Sequence, residues 1–412
     1  MAPAQPRIAI IGCGPAGLTA GVLLHKHGIP FTIFELRQEP SEAELARPSG
    51  SLDLHAESGL AAVAACGLTG AFRAAAGECA DSQKVADRDG TVLYEDAPGA
   101  EERPEISRHA LTRLLLSRIP PAAIRWGHRL HSAASAGGGS LVELDFGPHG
   151  RQLFDLVVGA DGAWSRVRGL LTDVAPRYAG RQCITLTIRQ ITQKYPRLAE
   201  VVGPGSFMAL GGRHGVMSQR GSQDSARIYI MLTTADEEFA ATQGLAGRTA
   251  AEAKSKLLGD HAFLAAWGDP IKELIAAACH EETADNPDSE LDIRPLYMLP
   301  VGHEWEHRSG ATIIGDAAHL MGPWAGEGAN LAMWDALSLA DAIAKAHETA
   351  GEDSASFRST VDPLLRAFET EMVARSRERA EETHSNGEMM FGENGARDLA
   401  DFFTNLGPPP TK

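Results

Sequence analysis

The stretch RIAIIGCGPAGLTAGVLLHKHGIPFTIFE, residues 7–35, leaves few folds open. Residues 7–11 read as a buried strand, 15–27 as a helix that stops at Gly28, and 31–35 as a second strand. A strand–helix–strand unit of this length closes as a right-handed crossover, so the two strands lie parallel and helices must cover the sheet. The turn between first strand and helix is Gly12, Cys13, Gly14, Pro15, Ala16, Gly17, a full GxGxxG. Gly12 permits the tight turn, Gly14 lets the backbone approach a pyrophosphate, and Gly17 lets the helix pack on the strand, with its N-terminus toward the phosphates. Glu35 closes the second strand, where a carboxylate can accept hydrogen bonds from ribose hydroxyls. The unit predicts dinucleotide binding and leaves NAD and FAD equally open.

A chain of 412 residues exceeds one typical core, so two interlocked domains are expected. Glycine-rich HSAASAGGGS, residues 131–140, reads as a hairpin tip between RWGHRL and LVELDF. From 183 to 232 the pattern alternates, as in CITLTIRQI and ARIYIML, which predicts an antiparallel sheet and a second domain. Residues 249–280 are helical in spacing, and 329–346 and 356–384 read as two long helices, with 371–382 a solvated face. A formal net charge of −16 disfavours nucleic acid and anionic membrane surfaces, so a small-molecule partner is expected. The five cysteines, Cys13, Cys66, Cys79, Cys183 and Cys279, show no CxxC spacing, which argues against a disulfide framework and a metal site. No signal region or bilayer-length apolar run is visible, and a soluble cytoplasmic protein is expected.

Two further motifs narrow the reading. DLVVGADGAWSRVR, residues 155–168, is a strand ending at Asp161 and Gly162, followed by Ser165 and Arg168. ATIIGDAAHLMGPWAGEGAN, residues 311–330, is a strand running into Gly315 and Asp316, with Pro323, Gly326, Gly328 and Asn330 opening a helix. GxGxxG, DGxxSxxR and GDAAHxxxPxxGxGxN in this order resemble the single-component FAD-dependent aromatic hydroxylases across nearly the whole chain. The resemblance implies an α/β fold in which a Rossmann-like FAD-binding domain is interleaved with an antiparallel-sheet substrate domain and followed by a long C-terminal helix. It divides the chain into 1–180 and 291–350 for FAD, 181–290 for substrate and 351–412 for the helical end. In that family the acid matching Asp316 holds the ribityl chain, and the helix starting near Gly328, Ala329 and Asn330 points its positive end at the flavin pyrimidine ring.

A closer likeness lies in LARPSGSLDLH, residues 45–55, and PEISRHALTRLLLSRI, residues 104–119, which look like the matching segments of tetracycline-inactivating flavin monooxygenases. This implies that Arg47 and Asp53 lie beside the isoalloxazine, with Arg47 also meeting the nicotinamide cofactor, and that Arg108 contacts FAD; Arg37 and Asp161 join the cofactor set. Glu327 stands where those enzymes carry glutamine. The implied activity is an NADPH- or NADH-consuming monooxygenase that uses O2 and a flavin C4a-hydroperoxide to oxidise an aromatic or polycyclic substrate, tetracycline among the candidates. No side chain need act as catalyst; Arg47, Pro323 and Gly326 position the flavin. Met208, Arg213, Gln219, Arg220 and Tyr229, from the alternating region, are expected to meet substrate. Alternatives are a hydroxylase of a small phenol or another polyketide, and a flavin-binding redox sensor without turnover. A monomer is expected.

Overall fold

The computed structural model describes residues 5–76, 82–96 and 104–406. Five strands form an all-parallel sheet in the order Ala311–Ile313, Leu156–Gly159, Ile8–Ile11, Thr32–Phe34, Ile124–Arg125. Ile8–Ile11 is therefore central, with its crossover partner on one side and the strands of the two later motifs on the other. All four residues of Ile8–Ile11 are buried, as a strand covered on both faces requires. Helix Pro15–Lys26 packs against the long helix Glu327–Ala350, so sequence ends 300 residues apart share one core.

The second sheet has seven strands in the order Asp292–Met298, Arg177–Ile188, Ser225–Thr233, His214–Gly221, Ser206–Gly211, Gln83–Asp87, Val92–Glu95. Pairing is antiparallel except between Ser206–Gly211 and Gln83–Asp87, which run parallel. The alternation read over 183–232 thus supplies the middle of the sheet, while both edges come from segments lying outside 181–290. One face, carrying Ile184, Leu186, Phe207, Val216, Ile228 and Ile230, is sealed by helices Ala250–Gly259 and Asp269–Asp285. The glycine-rich hairpin is narrower than the sequence reading had it: Ser132–Ala136 pairs with Leu141–Asp145, and Ile124–Arg125 joins the parallel sheet instead.

The chain ends in the 37-residue helix Ser354–Met390 and the 12-residue helix Gly395–Leu406. At 1.5 Å per residue the first is about 55 Å long, enough to run from one domain to the other. It packs along Glu327–Ala350, and Gly395–Leu406 then lies on strands Gln83–Asp87, Val92–Glu95 and Ser206–Gly211. No helix among the described residues is long and apolar enough to cross a membrane. Cys79 and the terminal PPPTK fall outside the described residues; Cys13, Cys66, Cys183 and Cys279 are unpaired thiols.

Candidate active site

Three glycine turns meet at the carboxyl ends of adjacent parallel strands, where open α/β sheets place their ligands. After Ile8–Ile11, Gly12 has φ 109°, and a Cβ there would lie 2.3 Å from the Ala160 carbonyl oxygen; at Gly17 it would lie 2.0 Å from the Gly12 carbonyl oxygen. Those two glycines are dictated by close approach. Gly14 differs, because a Cβ there meets nothing within 4 Å. The backbone at Gly14 faces open space at the N-terminus of Pro15–Lys26. Glu35, buried, braces the turn: its carboxylate accepts from the Cys13 backbone N–H at 2.7 Å and from the Arg37 N–H and Nε at 3.0 and 3.1 Å. Arg37 itself is exposed. Burial, with the Glu35 charge beside it, pushes the Cys13 thiol far above its ordinary range, so it is no nucleophile.

The second motif is a latch. Asp161 accepts from Ser165 Oγ at 2.5 Å and from the Arg166 N–H at 2.7 Å, so its carboxylate is engaged by its own turn. Buried Arg168 then donates to the carbonyls of Ala163, at 2.6 Å, and Ala317, at 3.0 Å, tying this turn to the third motif. There, Gly315 has φ 61° and packs against Ala16 and Ala332, so the N-terminal turns of both core helices flank it. Its N–H donates to Asp335, which also meets His319 Nε2 at 2.6 Å and accepts from Arg375 at 2.9 Å. Burial alone would lower the His319 value, but the Asp335 carboxylate and, behind it, Asp316 hold the imidazole above its usual range; burial likewise opposes charge on Asp335, which His319 and Arg375 nevertheless hold below the carboxylate range. His319 is committed through Nε2 to a buried ion-pair network.

Asp316 is exposed, yet burial among the surrounding walls pushes its carboxyl up while His319 and Arg108 pull it down. The two facts fit an acid in a deep concavity, crowded by protein and reachable by water. Across the cleft, Asp53 abuts the turn at Gly326, whose φ is 68°: a Cβ there would lie 3.1 Å from Asp53 Oδ2. Asn330, fully buried, staples this wall. Its Oδ1 accepts from the His55 and Gly59 N–H groups at 2.9 and 3.3 Å, and its Nδ2 donates to the Asp53 carbonyl at 2.9 Å. Pro323 is exposed, Ala329 is half-buried, and at Gly328 a Cβ would again meet nothing within 4 Å. Exposed Arg47 lines a cavity of about 230 Å³ with Glu105, Arg113 and Gln223. Arg108, also exposed, lies behind Gly50, whose carbonyl accepts the Arg108 N–H at 2.9 Å.

The other face of the seven-stranded sheet meets the segments that carry Asp53 and Arg108, with Tyr229 beside Gly50 and Gln219 on Glu105, and its register sorts that face into rows. One row is Val85, Met208, Met217, Tyr229 and Thr185, each directly opposite the next. Beside it run Leu210, Gly215, Met231 and Cys183, under the C-terminal helices. On the other side run Ser206, Gln219, Arg227 and Thr187, where Gln219 Nε2 donates to Glu105 at 2.8 Å. The face is therefore graded from apolar to polar. Met208, Gln219 and Tyr229 lie together on it. Arg213 and Arg220 do not: Arg213 is exposed at a hairpin turn with its guanidinium 4.0 Å from Glu393, and Arg220 shares the side of Val216 and Ser218, held by Asp224 and Thr192. Sequence reasoning missed Trp324, whose indole closes the apolar end between Gly322, Gly387 and Phe391, with Arg181 over its ring at 5.7 Å. The one available signal was an aromatic residue inside a glycine-rich turn.

The residues present fit a dinucleotide. Two backbone faces, at Gly14 and Gly328, have room for a group at the N-termini of two long helices, and the exposed carboxylate of Asp316 follows Gly315, which packs against both helices. A family model described as an FAD binding domain matches residues 6–356. The chain is 35% identical to monooxygenase penA of Penicillium thymicola, over 95% of this chain and 97% of that protein. It is 30% identical to 3-amino-4-hydroxybenzoate 2-monooxygenase PtnB3 of Streptomyces platensis, over 92% and 89% of the two chains. Among solved structures, tetracycline destructase Tet(51) superposes with a TM-score of 0.59 at 16% identity, over 97% of this chain and 98% of that one. That last likeness is one of fold alone.

Proposed function

The chain belongs to the FAD-binding-domain family and is an FAD-dependent monooxygenase, and from that premise we propose that it consumes NAD(P)H and inserts one oxygen atom of O2 into an aromatic or polyketide substrate. The observation that carries this reading is the opposition of the three strand-end turns to the graded sheet face across one cleft. Bound FAD supplies the electron transfer and oxygen activation. The protein binds, orients and excludes water. The Gly12–Gly17 turn and Glu35 hold the adenine half, with Arg37 beside them, and Asp316 accepts from ribityl hydroxyls. The N–H groups at Gly328, Ala329 and Asn330, at the positive end of a 24-residue helix, stabilise negative charge on the pyrimidine edge. Arg47, Asp53, Arg108, Pro323 and Gly326 frame the ring, and Asp161 acts through the Arg168 latch. Substrate lies against Met208, Met217, Tyr229 and Trp324, with its polar end toward Gln219. Closure of that wall by the C-terminal helices excludes water from the reaction. The protein works as a cytoplasmic monomer on a small molecule, without nucleic acid or membrane partners.

The name of the PtnB3 relative supports an aminophenol-sized substrate. The segments 45–55 and 104–119, together with the destructase fold, support a tetracycline-type one. NADPH oxidation under air, with each of 3-amino-4-hydroxybenzoate and tetracycline and a mass measurement of the product, separates the two. A product heavier by one oxygen atom from either supports the proposal; NADPH oxidation that no aromatic or polyketide compound stimulates counts against it.

A further inference from the structure

Behind the flavin-facing wall, a chain of ionisable groups runs back from Asp53, and the reading above leaves its other members unused. His55 Nε2 is 3.3 Å from Asp53 Oδ2, and His55 Nδ1 is 3.6 Å from Glu327 Oε1. Glu327 in turn is 3.3 Å from Arg379 Nε, and Arg379 Nη1 is 2.8 Å from Glu382 on the same helix. The side chains of His55 and Glu327 are 10% and 8% exposed, whereas Asp53 at one end and Arg379 and Glu382 at the other are 34%, 34% and 46% exposed. The chain thus crosses a buried segment between two wet ends. One end touches the Gly326 turn; the other is the surface of the C-terminal helix.

We propose that His55 and Glu327 form a proton-transfer bridge that connects Asp53, beside the Gly326 turn, to solvent at helix Ser354–Met390. This rests on the FAD reading of the cleft. Glu327 takes a proton from water at the helix surface and passes it to Nδ1, matched by one leaving Nε2 for Asp53, so one proton moves and the imidazole keeps its charge; Arg379, always protonated, positions the Glu327 carboxylate and does not relay. The 3.6 Å gap is longer than a hydrogen bond and closes by a small rotation of the Glu327 carboxyl. The groups facing Glu327 from each packed element are His55 and Glu57 from the 54–58 turn and Arg379 and Glu382 from the C-terminal helix. Burial raises the Glu327 carboxyl, with Glu382 and Glu57 adding to it, against the pull of His55 and Arg379. That direction favours a group able to take up and release a proton. A fixed counter-ion for Arg379 needs neither the burial nor the histidine. Glutamine keeps the volume of Glu327 but cannot relay.

The test uses the full chain. In apo protein labelled with ¹⁵N-histidine, His55 is identified by the signal lost in His55→Asn and titrated by NMR. Glu327→Gln is expected to lower its midpoint by about one pH unit, as removal of a carboxylate within ~4 Å of an imidazole should; Glu327→Asp is expected to retain most of it and guards against a folding artefact. In the loaded protein, the pH profile of NADPH oxidation should move with the same midpoint in Glu327→Gln. A His55 midpoint unchanged in Glu327→Gln, or one that moves while the rate profile stays, overturns the bridge. A wild-type chain that retains no FAD would overturn the functional reading beneath it, and is detected from the visible spectrum before any variant is made.

Discussion

Gly14 and Gly17 belong to one motif, yet the structure separates what they do. At Gly17 a Cβ would sit 2.0 Å from a backbone oxygen, so Gly17→Ala must shift strand or helix. Overpacking of that kind costs about 1–3 kcal/mol or more. At Gly14 a Cβ meets nothing, and φ −74° with ψ −179° is open to alanine. The weaker N-cap of alanine and the smaller entropy of its unfolded chain offset each other, so apo stability should change by less than ~0.5 kcal/mol. The methyl instead fills the space through which a pyrophosphate would reach the backbone. Losing one hydrogen bond to a charged group costs about 1.5–3 kcal/mol, which is roughly a 10- to 150-fold weaker Kd for FAD. Urea denaturation of the apo proteins and FAD titration by flavin fluorescence measure the two effects separately. Gly14→Ala that unfolds like Gly17→Ala, or that binds FAD as tightly as wild type, would refute the reasoning.

Asn330→Ala removes an amide that satisfies backbone groups of Asp53, His55 and Gly59 in a fully buried position. It should destabilise the chain by about 3 kcal/mol or more in a denaturant titration, since buried unpaired groups cost about 1–3 kcal/mol each. His319 is held above its ordinary value, so the stability it contributes is full below the unfolded value of about 6.5 and is lost as pH rises through its folded value. Asp335 is held low, so its contribution is full above about 3.9 and is lost as pH falls through its folded value. The melting-temperature gap between wild type and His319→Gln should therefore be widest between about pH 4 and 6.5 and narrow at alkaline pH; a gap that widens toward pH 9 contradicts the pair.

The features legible in the sequence are those with a local cause. Residues 8–34 announce a crossover because period, glycines and helix stop all lie within one window, and Gly17 is enforced by Gly12 within that window, whereas the contact that enforces Gly12 comes from Ala160 at the end of the neighbouring strand. The DGxxSxxR spacing was visible, but the engagement of Asp161 by Ser165 and Arg166 makes that acid a brace for its own turn, a role its strand-end position does not reveal. Gln219 and Arg220 are adjacent and polar, and only the pairing of Gln219 with Arg227 and Ser206 decides which of them faces the cleft. Strand Gln83–Asp87 joins the far sheet through a parallel contact with Ser206–Gly211, a partner more than a hundred residues away that no local pattern specifies. Trp324 acquires its place from Gly387 on the last long helix and Phe391 just beyond its end, which is again a tertiary cause.

The central claim is that this cleft holds FAD and uses it to oxygenate an aromatic or polyketide compound. The most direct measurement is the visible spectrum of the purified protein followed, in one aerobic reaction with NADPH, by the mass of the recovered substrate under ¹⁸O2. The account predicts a flavin spectrum and a product carrying one ¹⁸O atom. A colourless protein that fails to take up added FAD, or a flavoprotein whose only oxygen product is H2O2 with every aromatic and polyketide substrate tried, would contradict it.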